Sequence, residues 1–583
     1  MLKLIKKYCL PNYKEIFLLV FFSIISSLFL LLLPIFFSLI LGLIKNSFNL
    51  NLINNDIAIQ EKSLFNLNYL YNFINTKFDN LFIDISFINK IFIILFIFII
   101  ICFLASLFRY LSIYYTYVSE LKTRHKIRLD LKEKIFSFDY SYFKKLSSGS
   151  LTSVFVKDVE EASIISGSYI RAFSMHFSMI FLIFIFLVNT NYLLTFVLFF
   201  IFLLHYLYNL IFKKIIFLSN KEFYLKLGEV TGKLQDLFHN FKIIKVFFAE
   251  NKKKQLSKNF EDLNEKEIKI KLLSGSQEPI RMFLDNLSII FLISVIVIFI
   301  FLRKISIEGA ILFLVFCKFA QTPISGISTA LMWTESIKAS YNRIKKILSY
   351  QSKIKFGVKK IEVFKKSIKF KNVNFAYDNN IVLSNVNFEL KKNNHYVING
   401  ENGTGKSTII DLILGLQKPN KGEILIDEQN IRNFKHRDYL NLFSLVTQDS
   451  YLINDTIEAN ILIGSLKKNI YKKDLEELIV NLNSDFIFKL PKGLKTIIDE
   501  SGSSLSGGQK QKICILRSLI NNPEIIIFDE VLSNQDEKSK KDITNLIKNL
   551  SKSKTIIEVS HEKIYKKRHN FLNLDRKKVE LIS

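Results

Sequence analysis

The sequence predicts an α-helical membrane domain of six spans with long cytoplasmic extensions, followed by an α/β P-loop domain. Three observations predict this. Apolar residues concentrate before about residue 335, in six runs long enough to cross roughly 30 Å of hydrocarbon. From about residue 366 the pattern changes to short strands, turns and helices. There an apolar strand, "YVING" (396–400), feeds a glycine-rich loop and then the helical "STIIDLILGL". At 583 residues the chain also exceeds what one core organises.

The six runs are 16–44, 91–118, 168–188, 192–212, 281–302 and 308–333. The first is too long for a removable signal peptide and lacks a small-residue cleavage site. Lys3, Lys6, Lys7 and Lys14 precede it, which predicts a cytoplasmic N-terminus. Counting spans then places 45–90, 189–191 and 303–307 outside, and 119–167 and 213–280 inside. The inside loops carry Lys122, Arg124, Lys126 and Arg128, and Lys252, Lys253 and Lys254, as the positive-inside rule requires. Both keep a helical period, in "RLDLKEKIFSFDYSYFKKL" (128–146) and "KLGEVTGKLQDLFHNFKIIKVFFAE" (226–250). Membrane helices are therefore expected to continue into the cytoplasm as hairpins able to touch a cytoplasmic domain.

A net charge of +28 suggests an anionic membrane or nucleic acid as partner. Lys far outnumbers Arg, and Asn, Ile, Phe and Tyr are abundant, so compositional bias plus a basic cytoplasmic face explains the charge. No nucleic-acid partner is expected. Cys9, Cys102, Cys317 and Cys514 lie far apart, without a disulfide framework or metal spacing. Arg109, His176, His205 and Asp285 are pathway candidates, because ionisable groups at bilayer depth are costly. The plainer readings are that Arg109 snorkels and that Asp285 sits near a helix end. Pro34 and Pro323 either kink their spans or only shape packing.

The loop Gly400, Glu401, Asn402, Gly403, Thr404, Gly405, Lys406, Ser407, Thr408 has the spacing of a P-loop. Its glycines let the backbone wrap a β-phosphate, Lys406 would reach the β/γ oxygens, and Ser407 would ligate Mg²⁺. "PEIIIFDE" (523–530) reads as a buried parallel strand ending in two carboxylates. Asp529 suits a Mg²⁺ shell, and Glu530 would polarise a water for attack on the γ-phosphate. Together these residues specify an ATPase that uses ATP and Mg²⁺. A second phosphate loop, "LSGGQKQK" (505–512), places Ser506, Gly507 and Gly508 before a helix, again an N-terminal anion site.

Gly400–Thr408, Gln448 in "SLVTQDSYLINDTIEANI", Leu505–Gln509, Asp529–Glu530, "SNQD" (533–536) and His561 in "VSHE" follow one another as in an ATP-binding cassette. With six spans ahead of them, the chain resembles an ABC exporter half-transporter over nearly its whole length. The membrane half agrees in "SSGSLTSVFVKDVEEAS" (147–163), "IKVFFAE" and "QTPISGISTALMWTESIKASYNRIKKIL" (321–348). The resemblance implies a membrane domain over 1–350, a linker over 351–365 and a cassette over 366–583. It implies that Tyr377 stacks on adenine, that Gln448 reaches Mg²⁺ and the attacking water, and that His561 contacts the γ-phosphate. Alone, a histidine after a strand is more often structural; the cassette context reverses that reading. It further implies that Ser506, Gly507, Gly508 and Gln509 complete the ATP site of a second half-transporter, a homodimer or a heterodimer. An integral protein of a bacterial inner membrane is expected, with its cassette in the cytoplasm and membrane lipids as neighbours. The favoured substrate is a lipid or lipid-linked molecule, as for lipid A flippases; a multidrug or peptide exporter and an ATP-gated channel are the alternatives. Departures from the family pattern are Leu532 and Gln535 in "VLSNQD", Lys512 where Arg is common, Glu562, and 22 residues beyond His561. None removes a catalytic group, so a hydrolysis-competent site is expected.

Overall fold

The computed structural model describes residues 4–47, 87–146, 148–239, 241–247, 250–305, 307–378, 380–465, 472–498, 505–532, 537–560, 570–575 and 578–582. By internal contacts the chain divides into two compact units, 1–135 with 148–349, and 136–147 with 350–583.

In the first unit the long helices are α1 (Tyr13–Ser47), α2 (Phe87–Phe136), α4 (Ser168–Thr190), α5 (Tyr192–His239), α6 (Glu250–Phe301) and α7 (Ile307–Leu348). A short α3 (Tyr140–Lys144) lies between α2 and α4 in the chain. Six helices among the described residues are long and apolar enough to cross a membrane. The 52 residues of α6 reach about 78 Å at 1.5 Å per residue, far more than a bilayer core needs. The helical period read in both inside loops is thus the continuation of α2, α5 and α6. α1 and α7 run on through Pro34 and Pro323, and α6 runs through Pro279, which the hydropathy pattern does not single out.

Lipid tails give helices no hydrophobic reason to associate, so packing and hydrogen bonds hold the unit together. Small hydroxyl residues line the seams. Ser23 Oγ lies 2.6 Å from Ser112 Oγ, Ser26 Oγ donates to Ala105 O at 3.2 Å, and Ser27 Oγ lies 2.7 Å from Ser178 Oγ. Phe313 and Phe316 of α7 fill a core with Ile183, Leu187 and Leu194. Between α3 and α4, buried Asp158 takes both arms of the Arg343 guanidinium, at 2.7 and 2.6 Å.

The second unit holds two sheets. A four-stranded antiparallel sheet has the order β2-β1-β4-β5, from β1 (Ser367–Tyr377), β2 (Asn380–Lys391), β4 (Lys421–Ile426) and β5 (Gln429–Asn430). A six-stranded sheet has the order β10-β9-β3-β8-β7-β6. Its strands are β3 (His395–Gly400), β6 (Phe443–Val446), β7 (Ile525–Asp529), β8 (Thr555–Val559), β9 (Asn570–Asp575) and β10 (Lys578–Ile582). All neighbours in it are parallel except β9 and β10. Parallel strands are covered on both faces, which explains why Ile525, Ile526, Ile527 and Phe528 form an unbroken apolar run and are all fully buried.

The segment 136–147 belongs to this unit because of one carboxylate. Asp139, 7% exposed, accepts from Tyr350 Oη at 2.7 Å, from the Lys353 amide at 2.7 Å and from Ser352 Oγ. Tyr142 stacks on Tyr350 with ring centroids 3.7 Å apart. Burial opposes ionisation of Asp139, but the bonds from Ser352, Tyr350 and Lys353 outweigh it and hold the pKa below the ordinary 3.8. A depressed carboxylate contributes stability that is complete above its unfolded pKa and is lost as pH falls through the folded one. Asp139→Ala is therefore predicted to raise amide hydrogen exchange in 136–147 and 350–354 at pH 7, with the difference from wild type shrinking below about pH 4.

Candidate active site

Strand register decides which residues meet. Val446 of β6 pairs with Phe528 of β7, Asp529 of β7 with Val559 of β8, and Ile398 of β3 with Val559. The loops after β3, β6 and β7 therefore leave one carboxyl edge of one sheet, where open α/β folds bind ligands. That edge carries the 400–408 loop, Gln448 and Asp529–Glu530, separated by up to about 130 positions in sequence but gathered by parallel pairing. His561 follows β8, but 561–569 lie outside the described residues, as does 533–536.

The 400–408 loop turns by glycine. Gly403 and Gly405 have φ of 84° and 106°, and a Cβ on Gly405 would come within 2.7 Å of Val382 Cγ1. Helix α8 (Lys406–Ile413) begins directly after Gly405, so its first amides and dipole face the loop. Lys406 Nζ arches back to the carbonyls of Gly400 (2.8 Å) and Glu401 (3.1 Å). Thr408, in the first turn of the helix, is buried, while Glu401, Asn402, Gly403 and Ser407 are exposed. Tyr377 closes β1 with its ring 41% exposed, held edge-on by Phe375 at 4.8 Å. Gln448 is exposed in a turn fixed by Thr447 Oγ1 donating to Asp449 O at 2.8 Å.

Charge at this edge is unbalanced. Burial lowers the Lys406 pKa despite Glu530 and Asp529 nearby. Burial, then the Glu530 charge, raises that of Asp529, while Lys406 opposes. Asp411 on α8 is pushed up to about 6, by burial and by Asp529, against the pull of Lys144. Asp529 and Glu530 share the Lys406 ammonium, and Asp411 adds a third carboxylate beside Asp529, an environment a divalent cation would relieve. Asp529 and Ser407 are hard oxygen donors suited to Mg²⁺. Among the described residues no three His, Cys, Asp or Glu side chains converge as a metal cage. Mg²⁺ here would complete its shell from phosphates and water, its usual manner. Glu530 sits just past β7 with φ of +51°, an αL conformation unusual for glutamate, and its amide donates to Val559 O at 3.0 Å.

The second phosphate loop opens α9 (Gly507–Leu519) with a reciprocal cap. Gln509 N donates to Ser506 Oγ at 3.3 Å, and Ser506 N to Gln509 Oε1 at 2.9 Å. The Ser506 hydroxyl oxygen therefore accepts from the helix it starts, which leaves its O–H and the amides of Gly507 and Gly508 as donors. Alternating strand residues show where α9 lies. Ile398, Ile525, Ile527, Ile557 and Val559 share a core with Ile409, Ile410, Leu412 and Ile413 of α8. Val397, Ile526, Phe528 and Ile556 share another with Ile513, Cys514, Ile515 and Leu516 of α9. Neighbouring residues of a strand point to opposite faces. The sheet thus stands between the helices of the two phosphate loops.

In the membrane unit the structure pairs two of the four pathway candidates. His205 Nδ1 lies 3.5 Å from Asp285 Oδ1, and its Nε2 lies 2.9 Å from Ser288 Oγ. Asp285 is well inside α6 rather than near a helix end, because that helix continues unbroken to Glu250. His176 packs instead on Gly326, where a Cβ would come within 2.1 Å of its Nε2. Arg109 is exposed on α2. Sequence reading misses Arg281 and Lys318, which line the same cavity as His205 and Asp285. Lys318 interrupts the apolar run 308–333, which is the available signal, whereas Arg281 only opens the run 281–302.

It also misses Gln511. This side chain, 1% exposed on α9, donates through Nε2 to the carbonyl of Val531, one residue beyond Glu530. Gln511→Leu would leave that carbonyl without its buried donor, at about 1–3 kcal/mol. ATP affinity is expected to stay within about threefold while turnover falls by about tenfold, measured by nucleotide titration and phosphate release.

A family described as "ABC transporter transmembrane region" matches residues 16–324, more than half the chain, and one described as "ABC transporter" matches 383–533. The ATP-dependent lipid A-core flippase of Haemophilus influenzae (strain 86-028NP) is 28% identical over 456 residues, covering 75% of this chain and 76% of that protein. That of Francisella novicida is 26% identical over 452 residues, 76% of this chain and 75% of that protein. ABC transporter B family member 13 of Arabidopsis thaliana is 38% identical over 197 residues, which span 33% of this chain and 16% of that longer protein. A solved structure of a bacterial Atm1-family ABC exporter with ATP bound shares the fold at a TM-score of 0.76, with 18% identity, 98% of this chain and 94% of that chain covered. The chain belongs to the ABC transporter family, as an exporter-type half-transporter that couples ATP hydrolysis to movement of a substrate across a membrane.

Proposed function

We propose that two copies of this chain form a homodimeric exporter of amphipathic molecules, lipids or lipid-linked compounds foremost, in a bacterial inner membrane. The observation that carries the dimer is the six-stranded sheet lying between α8 and α9. A loop on each face of one sheet suits two ATP molecules held between two cassettes, the 400–408 loop of one copy facing Ser506–Gln509 of the other. One chain supplies both kinds of half-site, so a second, different chain is not required. The domain division follows as membrane domain 1–350, linker 351–365 and cassette 366–583.

In each site Tyr377 stacks on adenine, the 400–408 amides and Lys406 hold the phosphates, and Ser407, Gln448 and Asp529 hold Mg²⁺. When bound, the metal would neutralise phosphate charge. Glu530 accepts a proton from the attacking water, and His561 steadies the γ-phosphate. Hydrolysis splits off the γ-phosphate, whose departure removes the charge that joins the cassettes, and their separation resets the membrane helices. The lipid preference is supported by the flippase names of relatives aligned over three quarters of the chain.

Glu530→Gln keeps size and hydrogen bonding but loses the basic carboxylate. It is predicted to bind ATP as tightly as wild type, to accumulate as a dimer with closed cassettes, and to turn over at least about a hundredfold more slowly. Turnover within about threefold of wild type would rule out Glu530 as the general base.

A further inference from the structure

Between α5, α6 and α7 lies a cavity of about 420 Å³, in the range of sites that hold a small molecule. One part of its wall is polar, with His205, Arg281, Asp285, Ser288, Lys318 and Gln321. The rest is apolar, including Ile201, Phe202 and Leu292. We infer that this cavity is a binding site for an anionic amphiphile, whose charged head meets Arg281 and Lys318 and whose tail lies on the apolar wall. The inference rests on the reading of the chain as an exporter of amphipathic molecules and names the charge of the cargo.

Charge balance is the first ground. The cavity holds two fixed cations and one carboxylate. That carboxylate, Asp285, faces His205 at 3.5 Å. Among the described residues neither Arg281 nor Lys318 forms an ion pair, and Arg281 Nε is buried without a hydrogen-bond partner. Arg343 of the same unit shows the contrast, since its two arms both meet Asp158. Near the cytoplasmic boundary of the core, a buried guanidinium nitrogen without a partner is costly and marks a ligand path. Its planar fork matches a phosphate or carboxylate, and the compact ammonium of Lys318 adds a second point of attraction.

Depth is the second ground. Helices rise 1.5 Å per residue, so His205 lies about 20 Å along α5 from Tyr192 and Arg281 about 30 Å along α6 from Phe301. Lys318 lies about 16 Å along α7 from Ile307. With the outer ends assigned by loop charge, the cluster occupies the cytoplasmic half of a roughly 30 Å core. Headgroups of inner-leaflet lipids lie on that side. The polar bonds also fix the wall. Ser288 Oγ donates to Leu284 O at 2.7 Å and lies 2.9 Å from His205 Nε2, which sets the imidazole with its Nδ1 edge toward Asp285, while Arg281 lines the cavity beside it.

The test uses the full chain in phosphatidylcholine nanodiscs and reads ATPase rate against dodecyl phosphate, dodecyl phosphocholine, dodecyltrimethylammonium and inorganic phosphate. Dodecyl phosphate is expected to change the rate saturably, and the other three to act only at far higher concentration. Arg281→Gln and the exposed Lys318→Gln should each raise its half-saturating concentration about tenfold, while Arg281→Lys retains most of the response. Equal potency of all three dodecyl compounds, or wild-type behaviour of both Gln variants, would overturn the assignment of the cavity yet leave amphiphile export standing. Equal potency of inorganic phosphate would overturn the amphiphile in favour of a free anion. No response to any dodecyl compound in a chain that still hydrolyses ATP would overturn both readings.

Discussion

The six-stranded sheet is the constraint on which the rest depends. Its central strands are parallel and covered on both faces, and because side chains alternate, each strand feeds two separate cores. One core takes α8 behind the 400–408 loop; the other takes α9 behind Ser506. The same strands carry Asp529, Glu530 and Gln448 to one edge through their register. Pairing of strands far apart in sequence thus both gathers these residues at one edge and divides the two glycine-rich loops. Moving either helix to the other face would expose a row of isoleucines, so the division is as firm as the core itself.

Around that sheet the fold uses buried polar groups sparingly and at points of connection. Asp139 binds a segment between two membrane helices to the start of the cassette-bearing unit through three donors. Gln511 ties α9 to the residue after Glu530. The first links a loop to a chain segment; the second links the helix that starts at Ser506 to the turn just past Glu530. Each is a single buried side chain whose loss strands its partners, which makes such links stiff and easy to interrupt.

Local chemistry is legible in the sequence, and contacts across distance are not. The strand, the glycine turn and Lys406–Ser407 are contiguous, so spacing alone reveals them. The apolar runs show six spans because hydrocarbon demands length, and the helical period of the loops reveals that α2, α5 and α6 continue. Asp139 cannot be read, since its partners lie more than 200 positions away. His205 and Asp285 stand out separately as charges in apolar runs, but their pairing across 80 positions depends on how α5 and α6 pack. Arg281 escapes because it opens a span and resembles a flanking basic residue. Asp285 reads as a helix-end residue for the related reason that hydropathy marks where a membrane stops, not where a helix does.

ATP held between two copies, rather than within one, is the claim that most directly joins sheet, loops and transport. It is measured by disulfide trapping in a chain whose Cys9, Cys102, Cys317 and Cys514 are replaced, with Asn402→Cys in one loop and Gly507→Cys in the other. Asn402 is exposed, and a side chain at Gly507 meets no atom within 4 Å. With ATP and the Glu530→Gln background, oxidation should link two chains into one covalent dimer through Cys at 402 of one copy and 507 of the other. A bond formed within single chains, leaving only monomers under denaturing conditions, would contradict the composite site.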